Sequence, residues 1–371
     1  MKYFAARELV ELAGIILCRF WSRRNKLYDL IIIKNDRIGD YVIWHDTISA
    51  YKEKYKGQKV LLICNDTVLS LAKQEDFFTD ILSFKLNKIK KSPIYAYKFF
   101  NQLKGYESET VINPIWERTW FADIMTMAIK SKNKVSFLPK VREGRFSHYY
   151  DRQYTKLVDC HSCTSEIEAD SLFVQKMIKD DYQYGNYPLT VQVASPIKEK
   201  KYVAISFSSS ALGKNWPLER FVEVINQIPD DYKVVLIGAG VFDQRQAKTI
   251  EDNTTDKSRV INLVNKTSVA EMVALIANAS FVLGNDSGAV HIAAAVHVPS
   301  VAVVPGVEFY RFLPYPKEMN IKYAPRVVAN LMKCYNCKYN CIYPDKEPFE
   351  CIKRVTTEMV VNEMNELIKG E

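Results

Sequence analysis

The segment Gly284-Asn-Asp-Ser-Gly-Ala-Val-His291 combines residue types that suit an anion at a strand-to-helix turn. An apolar stretch over 280–283 runs into it as a strand, and a small-residue stretch over 292–295 runs out as a helix. Gly288 lets a ligand approach the backbone. The first N–H groups of a helix lack intrahelical partners, so together with the helix dipole they favour phosphate. Asp286 and His291 add polar side chains to the same rim. An ordinary turn capped by Asp286 or Ser287 is the plain alternative. What weighs against it is recurrence: Arg37-Ile-Gly-Asp40, the segment 206–214 and Gly238-Ala-Gly240 each follow an apolar run in the same way.

A second constellation is Cys334-x-x-Cys337-x-x-x-Cys341, with Cys351 further on. Four thiolates can hold zinc or iron in tetrahedral geometry, and Lys333, Lys338, Lys346 and Lys353 would offset their charge. The spacing differs from the paired C-x-x-C of zinc ribbons, so free or disulfide-linked thiols stand as the alternative. Cys160, His161 and Cys163 form a weaker group and read as incidental.

Such turns need elements to hold them, and the chain supplies an alternating pattern. Strands are expected over 28–34, 60–64, 81–84, 109–112 and 134–137, with helices between them, the first over 41–55. A polar stretch over 180–201 containing Pro188 and Pro196 reads as a linker. Strands then return over 202–207, 233–237, 259–264, 281–283 and 300–304, again separated by helices. Apolar spacing at Met359, Val360, Met364 and Leu367 predicts a last helix over 356–368. This is the α/β pattern of two doubly wound, parallel-sheet domains, with ligands expected at the carboxyl ends of the strands. The expected organisation is an amphipathic helix over 1–27, a first Rossmann-like domain over 28–180, the linker over 181–201, a second over 202–333, and a Cys-rich loop with a terminal helix over 334–371.

Composition narrows the function classes. The 371 residues are 48% hydrophobic, enough for two cores, and no apolar run approaches the roughly 20 residues that a membrane-spanning helix needs. No secretory leader is expected, because Glu8 and Glu11 interrupt the first apolar patch. A net charge of +8 points to an acidic partner. The helix over 1–27 ends in Arg19, Arg23, Arg24 and Lys26, so it either lies on an anionic membrane surface or packs on the protein body. Neither G-x-G-x-x-G nor a Walker-type phosphate loop occurs, which disfavours a dinucleotide oxidoreductase.

Four segments together carry a family resemblance: Ile31-Ile-Ile-Lys-Asn-Asp-Arg-Ile-Gly-Asp40, Ile205-Ser-Phe-Ser-Ser-Ser-Ala-Leu-Gly-Lys-Asn-Trp-Pro-Leu-Glu-Arg-Phe221, Val235-Leu-Ile-Gly238 and Gly284 to His291. In order and spacing they resemble the signature blocks of glycosyltransferase family 9, the ADP-heptose:lipopolysaccharide heptosyltransferases. The resemblance implies a GT-B fold, two Rossmann-like domains facing a cleft, with acceptor mainly on the first domain and nucleotide sugar on the second. It further implies an inverting transferase with Asp40 as general base, a role that suits a carboxylate at such a turn. Lys214 would contact the donor diphosphate and stabilise the charge growing on the leaving group. Ser209, Ser210, Asp286, Ser287, Gly288 and His291 would line the donor site, and Asp243 would reach the ribose. Arg37, Gly39 and His45 stand on the acceptor side.

The implied donor is ADP-heptose, and the implied acceptor a lipid-linked or core saccharide at the inner face of the inner membrane. Nucleic acid is not an expected partner. No D-x-D motif occurs, which agrees with metal-independent catalysis, leaving zinc or iron a structural part at most. Val42-Ile-Trp-His-Asp46 departs from the family pattern on the acceptor side. A nucleotide-sugar epimerase and a catalytically silent saccharide-binding protein are the alternatives. The motif order disfavours the first, and intact Asp40 and Lys214 the second.

Overall fold

A computed structural model describes residues 11–12, 14–15, 26–141, 145–344 and 347–369. The chain divides into two compact units, Met1–Gln183 and Tyr184–Glu371.

In unit 1 the sheet is built on β1 (Lys26–Lys34), whose Ile31, Ile32 and Ile33 are each fully buried. Burying each of these side chains is worth roughly 1.5–3 kcal/mol, and a strand apolar on both faces is what a parallel sheet covered on both sides requires. β2 (Val60–Asn65) and β4 (Tyr106–Asn113) flank it in parallel, with Ile31 opposite Leu61 on one side and Val111 on the other. β3 (Asp80–Phe84), β5 (Lys130–Phe137) and β6 (Lys156–Val158) complete the order β3-β2-β1-β4-β5-β6. The helices that matter for the site are α1 (Ile38–His45), α2 (Trp120–Ala128) and α3 (Glu166–Met177). A capping box between Ser165 and Glu168 starts α3.

Unit 2 contains β7 (Tyr202–Ser206), β8 (Lys233–Leu236), β9 (Val260–Asn262), β10 (Phe281–Asn285), β11 (Ser300–Val303) and β12 (Arg326–Val328). Their order, β12-β11-β10-β7-β8-β9, is all parallel and, read from the β9 edge, is the same 3-2-1-4-5-6 order as the first sheet. Its helices include α4 (Leu218–Ile225), α5 (Val241–Asn253), α6 (Val269–Ala277), α7 (Gly288–Ala295) and α8 (Thr357–Lys369). Val360 and Met364 of α8 are fully buried in the core of this unit, which explains its apolar spacing. This pair of doubly wound α/β units is the GT-B fold expected from the sequence.

Two expectations about elements need correction. The helix expected over 41–55 starts earlier and is two helices, α1 and a short one at Ile48–Lys54. The break falls at Thr47, whose hydroxyl donates to the Trp44 carbonyl at 2.6 Å, a local bond that competes with helix continuation. Strands β6 and β12 were not expected at all. Each is a three-residue edge strand, too short to show a period, and Lys156 and Arg326 begin them.

The expected helix over 1–27 lies mostly outside the described residues. The described part is helical at 11–12 and 14–15, with Ile15 buried in the unit 1 core. A Cβ at Gly14 would meet Ile124 Cδ1 of α2 at 2.7 Å, so this turn packs on the protein body. Among the described residues no helix is long and apolar enough to cross a membrane.

Candidate active site

In unit 2, β7 and β10 are neighbours in the sheet although two strands separate them in the chain. Connections leaving their carboxyl ends therefore run to opposite faces, which opens a crevice at this point. The loop after β7 is tied down there by Asn285 at the end of β10, which is fully buried. Its Oδ1 accepts the Trp216 N–H at 2.9 Å, and its Nδ2 donates to the Phe207 carbonyl at 2.7 Å. The indole of Trp216, itself buried, donates to the Val355 carbonyl at 2.9 Å. Gly284 is required by close approach: a Cβ there would stand 2.9 Å from the Ser206 carbonyl oxygen.

This scaffold brings Lys214 to Asp286. The ammonium lies 2.5 Å from Asp286 Oδ2, and both side chains are 11% exposed. Ser287 is the N-cap of α7, yet its side chain makes no capping bond and stands 3.2 Å from the Ser206 hydroxyl. The first N–H groups of α7 thus lack a side-chain cap, the condition that suits an anion. His291, 3% exposed, has its Nδ1 2.8 Å from the Tyr315 hydroxyl with the two rings stacked, and its Nε2 4.0 Å from Asp286 Oδ1. Burial pushes the imidazole down to about 4, against the pull of Asp286, so it is neutral near pH 7. A paired lysine and aspartate, a neutral histidine and an uncapped helix start thus stand together at the carboxyl ends of β7 and β10.

The other expected donor residues are more scattered. Ser209 shapes its own loop, donating its hydroxyl to the Ala211 carbonyl at 3.0 Å and its N–H to Asn215 Oδ1 at 2.7 Å. Ser210 is exposed. Asp243 sits at the β8–α5 turn, where its Oδ2 accepts the Ala239 N–H at 2.8 Å and crowds Gly238. That carboxylate serves the turn and lies one strand over from the Lys214–Asp286 pair. Sequence reasoning missed Ser206, Trp216, Asn285 and Tyr315. The first three lie within or beside the quoted blocks, whereas nothing local marks Tyr315.

In unit 1 the equivalent break in chain order falls between β1 and β4. Asp40 stands there, half-buried, in the first turn of α1. Exposed Arg37, in extended backbone, is the N-cap, so Asp40 is not the cap that a plain turn would make of it. Gly39 is half-buried beside it. Beneath the turn, Lys34 pairs with Asp36 at 2.7 Å and donates to the Pro114 carbonyl at 3.3 Å, while Asn35 donates to the Thr119 hydroxyl at 3.2 Å. These bonds lace the loop after β1 to the loop after β4. Nearby, a cavity of about 200 Å³ is lined by Lys90, Arg118, Thr119, Trp120 and Tyr150, among others.

His45, expected on the acceptor side, is 1% exposed and lies 2.7 Å from Glu75 Oε1. It lies five positions after Asp40, which turns it roughly 140° around the helix, onto the buried face. Its place is in the packing of unit 1.

Cys334, Cys337, Cys341 and Cys351 all line one small cavity in unit 2, together with Gly306, Met332 and Tyr335. None of the described cysteines is in a disulfide. Burial, with the neighbouring sulfurs adding to it, pushes the Cys337 and Cys351 thiols up, which favours their neutral forms. As the side chains stand, no three His, Cys, Asp or Glu among the described residues converge as a metal site.

The family model of glycosyltransferase family 9 (heptosyltransferase) matches residues 96–323, a stretch that includes Lys214 and Asp286 and leaves Asp40 outside. A lipopolysaccharide core heptosyltransferase OpsX of Haemophilus influenzae is 25% identical over 232 residues, covering 60% of this chain and 64% of that protein. Lipopolysaccharide heptosyltransferase 3 of Escherichia coli is 23% identical over 296 residues, covering 76% and 84%. The match thus spans a little under two thirds of the length of the first of these relatives. Among solved structures, a glycosyl transferase family 9 from Veillonella parvula DSM 2008 superimposes with TM-score 0.73 at 14% identity, covering 95% of this chain and 100% of that one. E. coli heptosyltransferase WaaC with ADP-2-deoxy-2-fluoro heptose gives TM-score 0.66 at 16% identity, covering 91% and 99%. The iron-containing dodecameric glycosyltransferase TibC from E. coli gives 0.53 at 16%, covering 94% and 78%. With the family model matched over more than half its length, the chain belongs to glycosyltransferase family 9.

Proposed function

We propose that the protein is an inverting glycosyltransferase that moves a heptose, or a related sugar, from an ADP-sugar-type donor to a lipopolysaccharide core or other saccharide acceptor. The observation that carries this reading is the Lys214–Asp286 pair beside the uncapped start of α7. In the proposed step the acceptor hydroxyl oxygen bonds to the anomeric carbon from the face opposite the leaving group. Its proton passes to Asp40, the bond from the anomeric carbon to the diphosphate oxygen breaks, and the electron pair leaves with the nucleoside diphosphate. Lys214 and the α7 N–H groups offset the growing charge, aided by neutral His291. Arg37 and Gly39 would stand with Asp40 on the acceptor side, unit 1 thus serving the acceptor and unit 2 the donor. No divalent ion is assigned to the chemistry.

The test is direct. Nucleotide sugars are screened for protection against unfolding, and a ligand at about 100 times its dissociation constant should stabilise the fold by roughly 2.7 kcal/mol. Protection by ADP-heptose supports the reading, whereas protection by another nucleotide sugar alone replaces the donor.

Two subsidiary proposals accompany it. Cys334, Cys337, Cys341 and Cys351 hold a structural zinc or iron, supported by their shared cavity and checked by elemental analysis of protein purified without added metal. The basic segment over 1–27 holds the enzyme on the inner face of the inner membrane, checked by salt-sensitive co-sedimentation with anionic vesicles.

A further inference from the structure

The turn that carries Asp40 rests on more buried charge than a strand-to-helix turn requires. Lys34 is 1% exposed, held by Asp36 and the Pro114 carbonyl, and its ammonium lies 5.7 Å from the centre of the Trp44 ring. From α3, which packs on α1, Asp170 brings a further carboxyl to this group. Asp170 is 2% exposed, and its Oδ2 has no hydrogen-bond partner. A buried carboxyl with an unsatisfied oxygen is costly, and an amide of the same shape would avoid the charge. The stabilising partner of Asp170 is the buried Lys34 ammonium, which Asp36 already pairs at 2.7 Å.

The groups facing Asp170 come from every element around it. They are Lys34 from β1, Asp36 and Asp40 from the turn and α1, and Tyr51 from the helix Ile48–Lys54, while Glu166 of α3 itself acts on Lys34. Burial is the largest influence on Asp170 and raises its titration to about 7; Lys34 opposes this, and Asp36 and Asp40 add to it. The coupling to Asp40 is mutual, since ionising either carboxyl raises the proton affinity of the other.

We propose that Asp170 is a positioning residue for the base Asp40: from beneath the turn, beside the Lys34–Asp36 pair, its carboxylate makes Asp40 a stronger proton acceptor. The inference rests on Asp40 being the base. When the acceptor proton arrives on Asp40, the cluster loses one of its crowded negative charges, and that relief favours the transfer.

The experiment uses the full chain with isotope-labelled aspartate, titrated by carboxyl NMR from about pH 5 to about pH 9, spanning the ordinary and raised carboxyl range. The Asp40 resonance is identified by its loss in Asp40→Asn. In the parent it should show a second inflection near pH 7 as Asp170 ionises, absent in Asp170→Asn and retained, with a shifted midpoint, in Asp170→Glu. Transfer of heptose from ADP-heptose to truncated lipopolysaccharide core saccharides should rise roughly three- to tenfold across the same step in the parent and stay flat in Asp170→Asn, with donor KM unchanged.

Thermal unfolding separates this from a packing role. A carboxyl whose folded pKa is raised favours the native state while protonated, and that advantage is lost as pH rises through about 7. Asp170→Asn should therefore melt above the parent at high pH while transferring more slowly. An Asp40 resonance indifferent to Asp170→Asn, or a variant that melts lower and slows equally at every pH, overturns the proposal. Parental transfer by Asp40→Asn would overturn the base assignment and the inference together; an inactive Asp40→Asn with an unchanged pH profile in Asp170→Asn overturns the inference alone.

Discussion

The turns after β1 and β10 are built alike, each at the break in strand order of a parallel sheet and each pairing a lysine with an aspartate, yet they suit opposite chemistry. In unit 1, Lys34 is sealed beneath the turn at 1% exposure, and carboxyls outnumber it. What stands half-buried at that turn is Asp40, the carboxylate proposed as the base. In unit 2 the lysine stands at the rim, and the adjoining helix start is uncapped. What the proposed donor phosphate would meet there is the uncapped helix start. One topology thus supports the two roles proposed above, with Lys34 fully buried beside Asp36 in one unit and Lys214 beside Asp286 next to an uncapped helix start in the other.

The sharpest way to break the comparison is to neutralise Asp40 in one half and Lys214 in the other. Asp40→Asn should lower transfer by ~10²–10⁴, the usual worth of a general base, while calorimetric binding of ADP stays at the parental level. Weakened ADP binding in this variant would place the donor role in the wrong half. Lys214→Ala should lower turnover by about 10²–10³ and weaken ADP binding, because it removes the charge facing the leaving group and leaves Asp286 to repel it. Undiminished ADP affinity would remove Lys214 from the donor site.

A third prediction sharpens the contrast through pH. The folded pKa of His291 is lowered from 6.5 to about 4, so the unfolded chain binds more protons between those values. The stability that neutral His291 confers is present above about 6.5 and is lost as pH falls through about 4, a swing of roughly 3 kcal/mol. Asp170 and Asp123, whose raised values act with the opposite sign, tilt the parent's curve the other way. The difference in denaturant stability between parent and His291→Gln should therefore isolate the histidine, narrowing as pH falls from 7 to 4. A constant difference would mean that His291 is not buried neutral. The smallest expected effect belongs to Gly284→Ala, whose methyl group must displace the Ser206 carbonyl and should cost about 1–3 kcal/mol, read as a lowered Tm with ADP binding weakened in proportion.

Much of this was legible in the chain because the signals are local. Runs such as Leu30 to Ile33 and Val282 to Gly284 are continuous in sequence, so periodicity and composition reveal the strands, and glycines at the turns reveal where the backbone must pass close. The four blocks that named the family are local in the same sense, and they already contained Asp40, Lys214 and Asp286. The edge strands β6 and β12 escaped because three residues show no period and pairing with a neighbour defines them. His45 was misread because its helical neighbours say how far it is turned from Asp40 but not which face the sheet will cover.

Whatever depends on residues far apart in the chain was decided only by the tertiary structure. Tyr315 meets His291, Val355 meets the Trp216 indole, and Asp170 meets Lys34 and Asp40 through packing of elements that share no local pattern. Charge makes the same point: a lysine in sequence is a lysine, and only burial and neighbours decide whether it is sealed beside Asp36, like Lys34, or pairs with Asp286 next to an uncapped helix start, like Lys214. Sequence determined which chemical groups stand at the strand ends. Folding determined what each of them is worth, because desolvation and Coulomb energy depend on distances that no spacing along the chain encodes.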